Sequence, residues 1–283
     1  MTASTVPEPF RQAAARGGRL RWFLSDVAVL AWRSLARIAR EPETLVNVTI
    51  QPVIFVLLFA YVFGGSIALP GGGSYHEFLI GGMLGVGVAG TAPGTAVALV
   101  TDMSTGLIDR FRSLPMTRPA VLAGRTLADL LTQAIGTAVV AATGLAIGWR
   151  THTPLGSVLA AFGLALLFGY AFSWLGACLG MILRSPEAAQ QLGFLLFMPL
   201  MFVSSTFVPA QGMPGWLQAV ANWNPLSSLA AASRRLFGNP DLLAGTRSWP
   251  MQHPELTVVL WSGLLLVISA PLAVHLYRRK SAG

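Results

Sequence analysis

The sequence has one lysine, Lys280, one cysteine, Cys178, and little charge of either sign. Each scarcity excludes something. A phosphate loop ending in Gly-Lys-Ser or Gly-Lys-Thr needs a lysine whose ammonium reaches the terminal phosphates of ATP. Lys280 follows Arg279 in the tail, so the chain has no Walker A site of that form. A single thiol allows no disulfide within the chain and no multi-thiolate metal cluster. Charged residues make up 11% of the 283, against roughly 25% in an ordinary soluble domain. His76-Glu77 begins like a zinc-protease helix, but Ile80 stands where the second histidine is required. His152, His253 and His275 lie far apart, and no Gly-x-Ser-x-Gly nucleophile turn is present. No catalytic, cofactor-binding or metal-ligating residues are therefore expected on this chain.

What the sequence has in abundance is apolar surface: 54% of residues are hydrophobic and the mean hydropathy is +0.63. Crossing a hydrocarbon layer of roughly 30 Å takes about 20 apolar residues in a helix. Six stretches have the required character, at about 46–64, 78–100, 126–148, 157–183, 192–208 and 256–277, the fifth being short and rich in Phe and Met. They are continuously apolar rather than alternating, which excludes the strand pattern of a membrane barrel. The expectation is an all-α integral membrane protein with six transmembrane helices. It divides into a cytoplasmic tail (1–23), one transmembrane domain (24–279) and a short cytoplasmic tail (280–283).

The net charge of +8 does not point to nucleic acid, because the basic residues sit beside the apolar runs. Given six spans, fifteen of the 19 Lys and Arg fall on one side, leaving Arg150, Arg234, Arg235 and Arg247 on the other. Positive residues mark the cytoplasmic face, which puts both termini on the cytoplasmic side of the membrane. Residues 1–23 lack the apolar core of a signal peptide, so no cleaved leader is expected.

From Leu24 to Arg40 the spacing is helical. Leu24, Val27, Ala28, Ala31, Trp32, Leu35 and Ile38 share one arc, while Asp26, Arg33, Arg37 and Arg40 share the other. That is an amphipathic helix suited to lie at the inner membrane surface, in contact with lipid, ended at Glu41-Pro42. The loop 101–124 is too long for a tight helical hairpin, and it is read as either a solvated loop or a docking element. In the segment 209–254, Pro214 starts one short helix through Trp216 to Trp223. Asn224 caps a second with Pro225 at its first position, and Gly238 stops it. These are read as a pair of short external or re-entrant helices between spans five and six.

Inside the spans, small residues recur every fourth position: Gly81, Gly85 and Ala89; Gly90, Gly94 and Ala98; Gly169, Ser173 and Ala177. Such spacing lets helices approach closely. Pro52, Pro93, Pro199 and Pro271 interrupt spans and are tolerated where neighbouring helices satisfy the freed carbonyls. Asp129 is the single acid well inside a span, and Arg125 one turn earlier offers it an i,i+4 partner. Asn47, Gln51 and Gln133 are the uncharged polar groups. A pathway without fixed charge suits a hydrophobic or amphipathic cargo.

The order of these features resembles the membrane subunits of type-2 ATP-binding-cassette transporters, particularly daunorubicin-resistance-like drug exporters, from about Leu24 to Arg279. The residues that carry the resemblance are Gln51-Pro52 leading into FVLLFAYVFGG; Gly106, Arg110, Leu114-Pro115, Arg118 and Gly124-Arg125; and the block FVPAQGMPGWLQAVANWNPLSSLAAASRRLFG. Asp102-Met103 stands where many members have a Glu-richer stretch. The resemblance implies a permease subunit that moves a hydrophobic drug, antibiotic or lipid-like metabolite outward. It implies a second permease subunit, identical or related, and a dimer of cytosolic ATPases that bind the ATP and magnesium. Coupling to those ATPases would fall to Arg33, Arg37 and Arg40 on the interfacial helix and to Asp102, Gly106, Arg110, Pro115 and Arg118 in the loop. Pro214, Trp216, Asn224, Pro225, Arg235 and Gly238 would shape the external helices over the exit. The alternatives are a polysaccharide or teichoic-acid permease and an ion-gradient-driven secondary transporter.

Overall fold

The computed structural model describes residues 42–64, 69, 73–104, 118–240 and 248–280. Ten α-helices follow one another among them: α1 (Pro42–Leu58), α2 (Tyr75–Ala89), α3 (Thr91–Ser104), α4 (Arg118–Ala146), α5 (Leu155–Ile182), α6 (Pro186–Phe202), α7 (Gly215–Trp223), α8 (Pro225–Phe237), α9 (Trp249–Gln252) and α10 (Pro254–Lys280). A π-helical turn, Phe59–Phe63, extends α1, and a 3₁₀ turn occupies Ala210–Gly212. The described residues contain no strand. The interfacial helix expected at Leu24–Arg40 lies outside them.

The helix α5 is central and packs against α3, α4, α8 and α10. Its sequence explains why. Ala161, Ala165, Gly169, Ser173 and Ala177 recur every four residues and are all buried, forming one narrow face against which neighbouring backbones can lie. A Cβ added at Gly176 would overlap the carbonyl of Ala92 on α3, and one at Gly180 would come within 3.0 Å of the Ala96 oxygen. Away from this seam the helices present large apolar side chains outward, including Ile54, Tyr61, Phe194, Leu195, Leu260 and Val267. Exposed apolar groups of this extent face lipid rather than water.

Among the described residues four stretches are long and apolar enough to cross a membrane: Tyr75–Ser104, Leu122–Ala146, Leu155–Ile182 and Pro254–Arg279. The first and fifth apolar runs fold as shorter helices. In α6 the limits have local causes. Ser185 caps its start, accepting from the Ala188 N–H at 3.2 Å, and the helix stops at Phe202 although the apolar run continues to Val208. Its 17 residues rise about 25 Å, short of the roughly 30 Å hydrocarbon layer.

The second apolar run divides into two helices at Gly90. Pro93 supplies the reason, because proline has no N–H and its ring clashes with the carbonyl four residues back, here Ala89. The Thr91 hydroxyl lies at the break, 2.7 Å from Val88 O in its own segment and 3.3 Å from Gly169 O on α5, with its one hydrogen available to either carbonyl. On the other side of Pro93 lies Gly193 of α6, where a Cβ would meet the proline ring at 2.7 Å.

Candidate functional site

At the bundle end formed by the start of α2 and the 147–154 turn, the segments 203–240 and 248–254 fold back over the helices. Pro214 is the N-cap of α7, and Trp216 beside it is 70% exposed. Trp223 on α7 is also exposed, whereas Ala221 and Asn222 turn inward. Asn224 ends α7 and caps α8: its Oδ1 accepts from the Leu226 N–H at 2.9 Å, while its Nδ2 donates to Leu200 O at 2.7 Å, tying the cap to α6. Pro225 is the first residue of α8, where the missing N–H costs nothing. Gly238 closes α8 with φ +69°, and a side chain there would press on His152 and Thr153.

The helix α8 is not a surface element. Leu226 through Arg234 are all buried, and the helix is wedged among α2, α5 and α10. The two adjacent arginines separate by a helical step of about 100°. Arg235 points outward, donating to Gln252 O at 3.1 Å and approaching Glu255 Oε2 at 3.5 Å. Arg234 is fully buried. Its Nε donates to Phe78 O at 2.8 Å, and its Nη2 donates to Ser205 O at 2.9 Å and Thr206 O at 3.0 Å. Its guanidinium carbon stands 3.5 Å above the Phe78 ring centroid, a charge over the negative face of an aromatic quadrupole. Gly81 and Gly82 make the room: a Cβ on Gly81 would come within 2.6 Å of Arg234 Cγ, and one on Gly82 would overlap Thr206 O.

The 147–154 turn locks onto the far end of α8. Trp149 Nε1 donates to Asn239 Oδ1 at 2.7 Å, and Asn239 Nδ2 donates to Arg150 O at 2.8 Å. The His152 N–H donates to Phe237 O at 2.8 Å, and Thr153 Oγ1 to Leu236 O at 2.5 Å. These bonds satisfy carbonyls that a helix C-terminus leaves open. The His152 ring nitrogen Nε2 also sits 2.9 Å from Glu77 Oε1 in the first turn of α2.

Within the bundle the polar groups bind one another. Asp129 receives Arg125 Nη2 at 2.9 Å and the Thr95 hydroxyl at 2.6 Å, joining α4 to α3. Gln133 Nε2 donates to Ala165 O at 2.8 Å, joining α4 to α5 beside Gly169. Cys178 donates to Ser269 O at 3.1 Å, a packing contact between α5 and α10. Asp129 is thus held as the i,i+4 pair expected from its spacing, with Thr95 added.

Of the residues expected to face a cytosolic motor, Asp102 lies half-buried in the last turn of α3. Arg118 is the first residue of α4. Arg33, Arg37, Arg40, Gly106, Arg110 and Pro115 fall outside the described residues. The expected external residues, Pro214, Trp216, Asn224, Pro225, Arg235 and Gly238, gather at the cap. Sequence reasoning passed over Arg234, Trp149, Asn239 and the Gly81-Gly82 pair as parts of it. One signal was present: seven residues separate Arg234 from Ser227, which places it on a small-residue face of α8, while Arg235 falls outside that face.

Residues 25–237 match the ABC-2 type transporter family. The chain is 35% identical to the daunorubicin resistance ABC transporter permease protein DrrB1 of Streptomyces coeruleorubidus over 252 residues, covering 89% of this chain and 85% of the relative. It is 25% identical to the probable doxorubicin resistance ABC transporter permease protein DrrC of Mycobacterium tuberculosis over 264 residues, 92% and 91% of the two chains. It is also 25% identical to the doxorubicin resistance ABC transporter permease protein DrrB of the same organism over 289 residues, 97% and 95% of the two.

Proposed function

The chain belongs to the ABC-2 type transporter family and is a membrane permease, and on that premise we propose that it is the membrane-spanning subunit of an ATP-driven exporter of hydrophobic or amphipathic drugs. The observation that carries the cargo class is the likeness to permeases named for daunorubicin and doxorubicin resistance over most of both chains. The interior chemistry supports it: Asp129, the single acid well inside a span, is already bound by Arg125 and Thr95. A carboxylate so held is poorly placed to carry ions across.

In this reading the chain crosses the plasma membrane six times, with α1 and α6 as the first and fifth passes and both termini in the cytoplasm. The cap of α7 and α8 then lies on the outer side, with Trp216 and Trp223 at the headgroup level. The permease itself carries no catalytic or cofactor-binding site. Two cytosolic cassette ATPases hold ATP and magnesium and dock against Arg33, Arg37 and Arg40 and against the loop from Asp102 through Gly106, Arg110 and Pro115 to Arg118. A second permease subunit completes the pathway. Closure of the ATPases moves these docking elements, and the membrane helices transmit the motion to the exit.

The test is efflux of an anthracycline from vesicles. Co-expression with the cognate cassette ATPase is expected to give ATP-dependent, vanadate-sensitive export that persists when the proton gradient is dissipated. Equal export without the ATPase overturns the proposal, and collapse with the gradient at constant ATP favours a secondary transporter instead.

A further inference from the structure

We propose that Arg234 is a positioning residue for transport: it clamps the outer ends of α2 and α6 together through α8 and holds the exit shut until the cytosolic ends of the helices move. This rests on the exporter reading above.

The first support is a matter of backbone hydrogen bonding. The chain leaves α6 at Phe202, yet Ser205 and Thr206 remain almost wholly buried. Away from water each unpaired backbone carbonyl costs free energy. A single buried side chain, Arg234, supplies donors to both of those carbonyls and to Phe78 O in the first turn of α2. Only arginine offers five N–H groups in a fixed plane that also stacks on a ring. Ser227 adds a second tie, its Oγ accepting from the Ser205 N–H at 2.9 Å.

The second support is a hinge on the other side of the clamp. From the Arg234 contact at Phe78, α2 runs to the break at Gly90, and α3 continues to Asp102. A Cβ added at Gly87 or Gly94, on either side of the break, would meet nothing within 4 Å. On that face bending meets no neighbour, whereas on the opposite face Ala92 and Pro93 lie close against Gly176 and Gly193, so the break can flex only toward its open side. Motion delivered at the Asp102 end therefore pivots near Gly90 and is resisted where α2 is bolted to α8. An exit that opens must loosen or carry along that bolt.

The experiment uses the full chain with its ATPase in proteoliposomes, with Cys178→Ala and a reporter Ser205→Cys. Ser205 is 1% exposed and its hydroxyl has no hydrogen-bond partner, so a thiol replaces it with little loss. Labelling by a membrane-impermeant maleimide is expected to be slow at rest and faster with ATP and vanadate. In Arg234→Gln resting labelling rises by about tenfold, the factor lost with one charge-assisted hydrogen bond. The nucleotide dependence then disappears, and more ATP is consumed per molecule exported, while the ATPase still co-purifies. Arg234→Lys restores part of both. Unchanged nucleotide dependence in assembled Arg234→Gln overturns the clamp, and so does failure of both variants to assemble, which is what a purely structural residue gives. ATP-driven efflux by the parent with no nucleotide effect on labelling overturns the clamp alone. A parent without ATP-driven efflux overturns the exporter reading and the clamp with it.

Discussion

Trp149 and Asn239, 90 positions apart, are joined by an indole N–H to amide oxygen bond of 2.7 Å, with both side chains buried. Trp149 also meets Phe237 edge to face, with ring centroids 5.0 Å apart. Trp149→Phe keeps an aromatic ring but leaves the Asn239 oxygen without its donor. The expected loss is about 1–3 kcal/mol, the cost of an unsatisfied buried acceptor, read as a lower Tm in detergent. An unchanged Tm would mean that another donor reaches Asn239.

Glycines in the same bundle should divide sharply by surroundings. Gly82→Ala drives a methyl into Thr206 O, whereas Gly263→Ala meets nothing within 4 Å. The first is expected to lose about 1–3 kcal/mol through overpacking. The second should gain about 0.4–1 kcal/mol, because alanine restricts the unfolded chain. Paired thermal unfolding decides it, and equal Tm shifts would refute the close approach of α2 to the 203–206 turn.

The Arg125–Asp129 pair is expected to behave as an internal tie. Arg125→Ala and Asp129→Ala should each destabilise, and the double variant should lose less than their sum by about 0.5–3 kcal/mol, the coupling of groups in direct contact. Drug efflux per assembled transporter should stay ATP-driven in Asp129→Asn. A proton requirement that vanishes in that variant would instead make Asp129 part of an ion path.

Topology can be read with single cysteines, since Cys178 is the sole natural one and is buried. In a Cys178→Ala background, Trp216→Cys should react with an impermeant maleimide on intact cells, while Arg279→Cys should react only after permeabilisation. The reverse pattern would put the cap in the cytoplasm and remove the basis for an outer exit.

The N-terminal arginines give the last test. Replacing Arg33, Arg37 and Arg40 together by glutamine removes three positive charges from the polar face of the expected interfacial helix. Co-purification of the cassette ATPase should fall severalfold, with the permease still inserted. Undiminished recovery of the ATPase would assign docking to the 101–118 loop alone.

The cap shows where sequence reading succeeds and where it stops. Asn224-Pro225 and Gly238 mark the ends of α8 through local chemistry, because a cap needs a side-chain acceptor and a helix stop needs a residue that tolerates positive φ. The depth of that helix could not be read the same way. A run such as SSLAAAS fits equally a solvated helix and one pressed between three others, and Arg234 looks like a surface charge until its carbonyl partners from two distant segments are known. The i,i+4 pairing of Arg125 with Asp129 was visible. Thr95, 34 positions away, was not.

The sequence by itself determined the solvent and the helical class, because continuous apolar runs must satisfy their own backbone in lipid, and its one lysine, Lys280, is not placed in a Gly-Lys-Ser or Gly-Lys-Thr phosphate loop. Tertiary structure alone decided which small residues face which neighbour, and that Arg234 rather than Arg235 is the buried one. Those outcomes depend on contacts between segments 28 to 156 residues apart, and no local spacing rule encodes which carbonyls a folded chain will leave open for a single guanidinium to fill.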